Sequence, residues 1–158
     1  MDKQAAVADL TDLVGKFTAY IGKRLPTDVT QKLGELRTQE VNFLAKEVYE
    51  SMRENQEQAD KLNRPSCQDT GVIQYFLTAG AKFPLLGELE EILLGATQTA
   101  THEGPLRHNA VETFVEKNTG TNTGSKIPWL DWEIVPDSDS VIIDVYLAGG
   151  GCPPPGAA

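Results

Sequence analysis

Helical spacing dominates the first third of the chain. Val7, Leu10, Val14, Phe17 and Ile21 recur at three- and four-residue intervals, and Leu13 and Tyr20 widen the stripe. That is the pattern of a helix with one apolar face. Gly22 and Pro26 mark its end. Thr27 is placed to cap a short second helix that carries Val29, Leu33 and Leu36. A longer helix follows with Val41, Leu44, Val48 and Met52 on one face; residues 53–58 are solvated polar surface, and Pro65 closes the helical region.

The pattern then changes. Val72–Thr78 is β-branched and aromatic and reads as a strand. Apart from Gln74 it is apolar on both faces, which implies a covered position. Leu89, Ile92, Leu93 and Ala96 predict a helix after Gly87, and Ala110, Val111, Phe114 and Val115 predict another. Residues 118–128 (NTGTNTGSKIP) are turn chemistry throughout. Trp129–Val135 and Val141–Leu147 read as two strands of a hairpin across PDSD. Val141, Ile143, Val145 and Leu147 share one face of the second, with Asp144 on the other. There is no internal repeat, and only the tail AGGGCPPPGAA is of low complexity. The order of elements predicts an α+β fold, or irregular α/β, rather than regular βαβ winding. A single domain over 1–158 is expected, with a helical region at 1–64 and an α/β part at 65–158.

Composition narrows the class. At 158 residues with 40% hydrophobic positions, the chain can build one domain with a real core. That argues against a disordered, collagen-like or membrane-embedded chain. The net charge of −9 argues against a nucleic-acid backbone or an anionic membrane as the main partner, while leaving room for a small anionic substrate in a cleft. No stretch approaches the roughly 18 apolar residues of a spanning helix. The N-terminal MDKQAAVADL lacks the apolar region of a signal peptide. Two cysteines, Cys67 and Cys152, are too few for a disulfide framework and form no CxxC pair, so a cytoplasmic location is expected.

Four segments carry candidate chemistry. RPSCQDTG (Arg64–Gly71) lies in the loop between a helix and a strand and gathers a thiol, an amide, a carboxyl and a hydroxyl at Cys67, Gln68, Asp69 and Thr70. It reads either as a metal-ligand thiolate beside an acid or as a free cysteine next to an Asx turn closed by Gly71. PLRHNAVE (Pro105–Glu112) puts Arg107, His108 and Asn109 at an expected helix start, where an anion would meet backbone N–H groups and the Arg107 fork. The alternative is a polar helix cap. NTGTNTG (Asn118–Gly124) offers either backbone nests for an anion or a plain loop. Gly149–Gly151 follow a strand directly, and allow either a close backbone approach to a ligand or a bend. His102, near a helix end, receives no role, and Trp129 and Trp132 read as core or interface residues.

Taken in order, RPSCQDTG, FPLLGELEEIL, PLRHNAVE, NTGTNTGSKIPW and YLAGGGC resemble the class I, iron–sulfur fumarase family. CQDTG followed by GGG carries the family resemblance. RHNAVE, and GGGC where fumarases show GGGS, favour its tartrate-dehydrating branch in the α-subunit type. The resemblance implies a hydro-lyase that turns L(+)-tartrate into oxaloacetate at a [4Fe–4S] cluster held by three cysteines, with an open iron as Lewis acid. It implies Cys67 as a cluster ligand, Asp69 as catalytic acid, and Gln68, Arg107 and Gly150 as contacts to a small dicarboxylate. A carboxyl with an ordinary pKa of about 3.9 is a poor acid near neutrality, so the acid role demands a shifted group or a proton relayed through water. Cys152 matches no ligand. The family's other two ligands lie in segments farther along its α subunit that are absent here, so the resemblance implies a truncated α subunit, inactive alone. Its partner is a separate β subunit in a hetero-oligomer. Two alternatives stay open: a fumarate hydratase α subunit acting on fumarate and malate, and a non-catalytic docking module.

Overall fold

The computed structural model describes residues 2–67, 69–104 and 106–149. Three helices open the chain: α1 (Lys3–Ile21), α2 (Thr27–Gln39) and α3 (Phe43–Lys61). Then come β1 (Val72–Gly80), a single 3-10 turn (Leu86–Glu88), α4 (Leu89–Glu103), β2 (Val111–Glu112), β3 (Lys117–Asn118), β4 (Trp129–Val135) and β5 (Val141–Ala148). The fold is α+β, as the pattern predicts.

Side-chain caps set the starts of α1 and α3. The Asp2 carboxylate accepts from Gln4 N–H, and the Asn42 side chain accepts from the N–H groups of Leu44 and Ala45. α2 has no side-chain cap: Pro26 occupies the cap position and Thr27 is already helical, contrary to the expected capping role.

β1 lies at the centre of a three-stranded sheet of order β4–β1–β5, parallel to β4 and antiparallel to β5. The expected β4–β5 hairpin is therefore corrected: its two strands do not pair, because β1 lies between them. The end of β1 runs under the connector, where Gly80 N–H donates to Ser140 O, Lys82 N–H to Ser138 O and Ala81 N–H to Val135 O. Turn chemistry between two strands identifies a reversal of the chain; it does not show that the strands are neighbours.

One face of the sheet makes the core. Ile73, Tyr75 and Leu77 pack against Val14 and Ala19 of α1, Leu93, Ala96 and Ala100 of α4, and Leu106. Ala79, Leu85, Leu89 and Ile92 continue it toward the 3-10 turn. α1 and α4 approach at small residues: a methyl group on Gly15 would stand 2.8 Å from Thr99 Cβ and 3.1 Å from Ala96 O. The buried stripe of α1 therefore turns through Val14, Gly15, Thr18 and Ala19, leaving Leu13, Phe17 and Tyr20 on the exposed side. At the centre, Tyr75 Oη lies 3.4 Å from Thr18 Oγ1 and 3.3 Å from Thr97 Oγ1, and burial raises its pKa.

α2 and α3 lie largely outside this core. α2 has no buried residue, α3 buries only Ala59, and the apolar face Leu44, Val48 and Met52 is exposed. The Arg24–Asp60 ion pair and the Ser66 N–H bond to Gly22 O tie α3 and the segment after it to the end of α1.

Candidate functional site

The loop before β1 is shaped by its own residues. Asp69 Oδ1 accepts from Gly71 N–H at 2.9 Å, closing the Asx turn. Gly71 has φ +70°, and a methyl group there would stand 2.5 Å from the Ala148 carbonyl carbon. Only glycine satisfies both demands. The end of β5 is thus pressed against the start of β1, where Val72 pairs with Ala148. Chain continuity then carries Gly149 past the Asp69 carboxylate: a methyl group on Gly149 would be 3.4 Å from Asp69 Oδ2.

The segment after α4 docks on the same loop. Thr70 is buried, and its Oγ1 accepts from Arg107 N–H at 3.0 Å. The Asn109 amide nitrogen donates toward Thr70 Oγ1 at 3.3 Å, Gly71 O at 3.3 Å and Asp69 Oδ1 at 3.4 Å. Asn122, only 4% exposed, holds this segment from the other side. Its Oδ1 accepts from Ala110 N–H, and its Nδ2 donates to Arg107 O and Thr101 Oγ1. Asn122 has φ +56°, a conformation asparagine tolerates better than most residues. NTGTNTG is therefore a structural latch built on a buried amide.

Two expectations are corrected here. Arg107 does not begin a helix, and residues 110–115 do not form one. Residues 106–110 are irregular and lead into the β2–β3 pair, closed by a turn at 113–116. Phe114 is 82% exposed and Val115 is exposed too, so the helical spacing has no core to face. Glu112 instead accepts from the N–H groups of Phe114 and Val115. The Val115 N–H, a Ser125 hydrogen bond and the Phe114 N–H hold its carboxyl below the usual carboxylate range.

Of the site residues read from the sequence, the structure brings Asp69, the Arg107 backbone and the edge of the glycine run together. Cys67 is a free, exposed thiol two residues before Asp69. Gln68 and Gly150 lie outside the described residues, as does Cys152. Sequence reading missed the two amides, Asn109 and Asn122, as the pins of the site. Their residue type signals turns or caps, and only the packing shows them bridging segments distant in the chain. His102 and His108 share a cleft of about 440 Å³ with Gln98, Thr101, Leu106 and Thr121.

A [4Fe–4S] cluster takes several cysteine thiolates. Among the described residues Cys67 is the only cysteine, and none of them form a group of three or more His, Cys, Asp or Glu able to hold a metal ion. These residues can offer one thiolate and do not by themselves fit the whole group. Among the described residues no helix is long and apolar enough to cross a membrane.

The chain belongs to the family described as fumarate hydratase (Fumerase), which matches residues 11–157. It is 53% identical over 155 residues to the L(+)-tartrate dehydratase subunit alpha of Escherichia coli (strain K12), covering 98% of this chain and 51% of that protein. The same identity and coverage hold for the subunit alpha of Shigella sonnei (strain Ss046). A putative L(+)-tartrate dehydratase subunit alpha of Methanocaldococcus jannaschii is 32% identical over 146 residues, 90% of this chain and 51% of that one. The chain spans about half the length of the curated relatives it matches.

Proposed function

We propose that this chain is part of the α subunit of a cytoplasmic iron–sulfur hydro-lyase that dehydrates L(+)-tartrate to oxaloacetate. The observation that carries the reading is the convergence of CQDTG, RHN and Gly149 on the Asp69 carboxyl. Tartrate is preferred over fumarate or malate because the relatives at 53% identity are named for it.

In this reading Cys67 gives one thiolate to a [4Fe–4S] cluster, and the remaining ligands come from outside the described residues. The exposure of Cys67 suits a ligand that faces another part of the assembly. A thiolate ligand must stay reduced, which accords with a cytoplasmic location. Asp69 is the catalytic acid. Gly71 N–H and Asn109 hold its Oδ1, which orients Oδ2 toward the glycine run. Arg107 binds a substrate carboxylate through its planar fork, on a backbone held at both its N–H and its C=O. Gln68 and Gly150, adjacent in sequence to Cys67–Asp69 and Gly149, complete the contacts to a small dicarboxylate. A separate β subunit closes the site.

The test extends this chain with the remaining half of the E. coli subunit alpha and co-expresses it with that enzyme's β subunit. Cys67→Ser is expected to lose most iron and nearly all activity, whereas Cys152→Ser keeps most of both. Arg107→Ala should lower kcat/KM for tartrate about ten- to hundredfold, the worth of a charge-assisted pair. Arg107→Lys should rescue only part, because the fork is lost. Full iron retention in Cys67→Ser, or an unchanged kcat/KM in Arg107→Ala, overturns the assignment.

A further inference from the structure

The core uses one face of the sheet. The other face is uncovered among the described residues and mixes aromatic with acidic side chains. Register puts Trp129, Gln74 and Tyr146 in one row across the strands, and Asp131, Phe76 and Asp144 in the next. Phe76 is 40% exposed, Trp129 53% and Tyr146 59%, whereas Tyr75 and Leu77 on the opposite face are buried. Three aromatic side chains thus form a patch with a carboxylate on each side of its central ring. Clustered exposed aromatics mark an interaction surface, and aromatic residues are enriched at interfaces.

We infer that this face docks the other half of the α subunit, the part that aligns to nothing in this chain. Two observations choose that occupant. The match covers 98% of this chain but only 51% of the E. coli relative, so a polypeptide of similar size remains to be placed in such a subunit. A stretch of the same chain docks at high effective concentration, without needing a strong interface. The second observation removes the simplest competitor. A second copy using this same face would form a two-fold interface. Around Phe76 that would bring the Asp131 and Asp144 carboxylates of the two copies together, in a chain of net charge −9. Like-charge juxtaposition at an interface is costly. The occupant presents apolar side chains to Trp129, Phe76 and Tyr146, with Lys or Arg opposite the two aspartates. Arginine satisfies both demands, pairing with a carboxylate and stacking on a ring.

The experiment is hydroxyl-radical footprinting of this chain alone and of this chain fused to the remaining half of the E. coli subunit alpha. Labelling of Trp129, Tyr146 and Phe76 is expected to fall at least fivefold in the fusion, with no cluster or activity required. Unchanged labelling in a folded fusion overturns the inference. So does sedimentation showing that the isolated chain dimerises with those residues protected. A second measurement does not depend on the fusion folding. Phe76→Thr, a neutral β-branched replacement between the two aspartates, should leave Tm of this chain within about 2 °C. Thr at the aligned position of the full-length E. coli subunit alpha should lower Tm by more than 5 °C. Equal shifts in the two proteins would refute the docking.

Discussion

Gly71 shows how much one residue decides. It accepts a positive φ, gives its N–H to Asp69, and lets the Ala148 carbonyl approach where a methyl group would collide. Gly71→Ala should destabilise the chain by about 2–5 kcal/mol, the sum of left-handed strain and overpacking. Urea titration checks this, and an unchanged midpoint would show that the end of β5 is free to retreat. The turn glycine was legible beforehand, since a DTG run before a strand reads as an Asx turn. The collision with β5 was not, because Ala148 lies 77 positions away in sequence. Asn109 and Asn122 make the same point: an amide has the same residue type whether it faces water or bridges two backbones.

At the scale of elements, the β2–β3 pair is the clearest departure from spacing. Its turn is held by the Glu112 carboxylate, and the hydrogen-bonded ionised form lowers that group's pKa in the fold. A lowered folded pKa means stabilisation that is full above the ordinary carboxylate value of about 4.3 and is lost as pH falls through the folded value. Hydrogen exchange at the Phe114 and Val115 amides, corrected for intrinsic rates, should therefore accelerate on acidification below about pH 4. Glu112→Gln keeps an acceptor but cannot titrate, so its exchange should show no such step. Persistence of the step in Glu112→Gln would assign the effect to another group. Helical periodicity failed here because periodicity needs a surface to bury against. With Phe114 and Val115 in solvent, two backbone N–H groups and one carboxylate outweighed it.

For the whole molecule, its cysteine content limits what it can hold. One exposed cysteine is present among the described residues, and the chain has two in all. The isolated chain is expected to bind no stable [4Fe–4S] cluster after anaerobic reconstitution and to show no dehydratase activity. Iron and sulfide analysis checks this; about four irons per chain, the content of a full cluster, would overturn it.

The sequence by itself determined α1, α4 and β1, the Asx turn at Asp69, and the family through CQDTG and its companion segments. Each of these is local: a helix face, an alternating strand or a turn is written in neighbouring residues, and a motif is read in a single line. Only the tertiary structure decided that β1 separates β4 from β5, that Arg107 sits on a pinned irregular segment, and that one face of the sheet is covered while the other is open among the described residues. Those outcomes depend on which distant segments meet. Spacing along a chain records which side chains share a face, but not what that face finds to pack against.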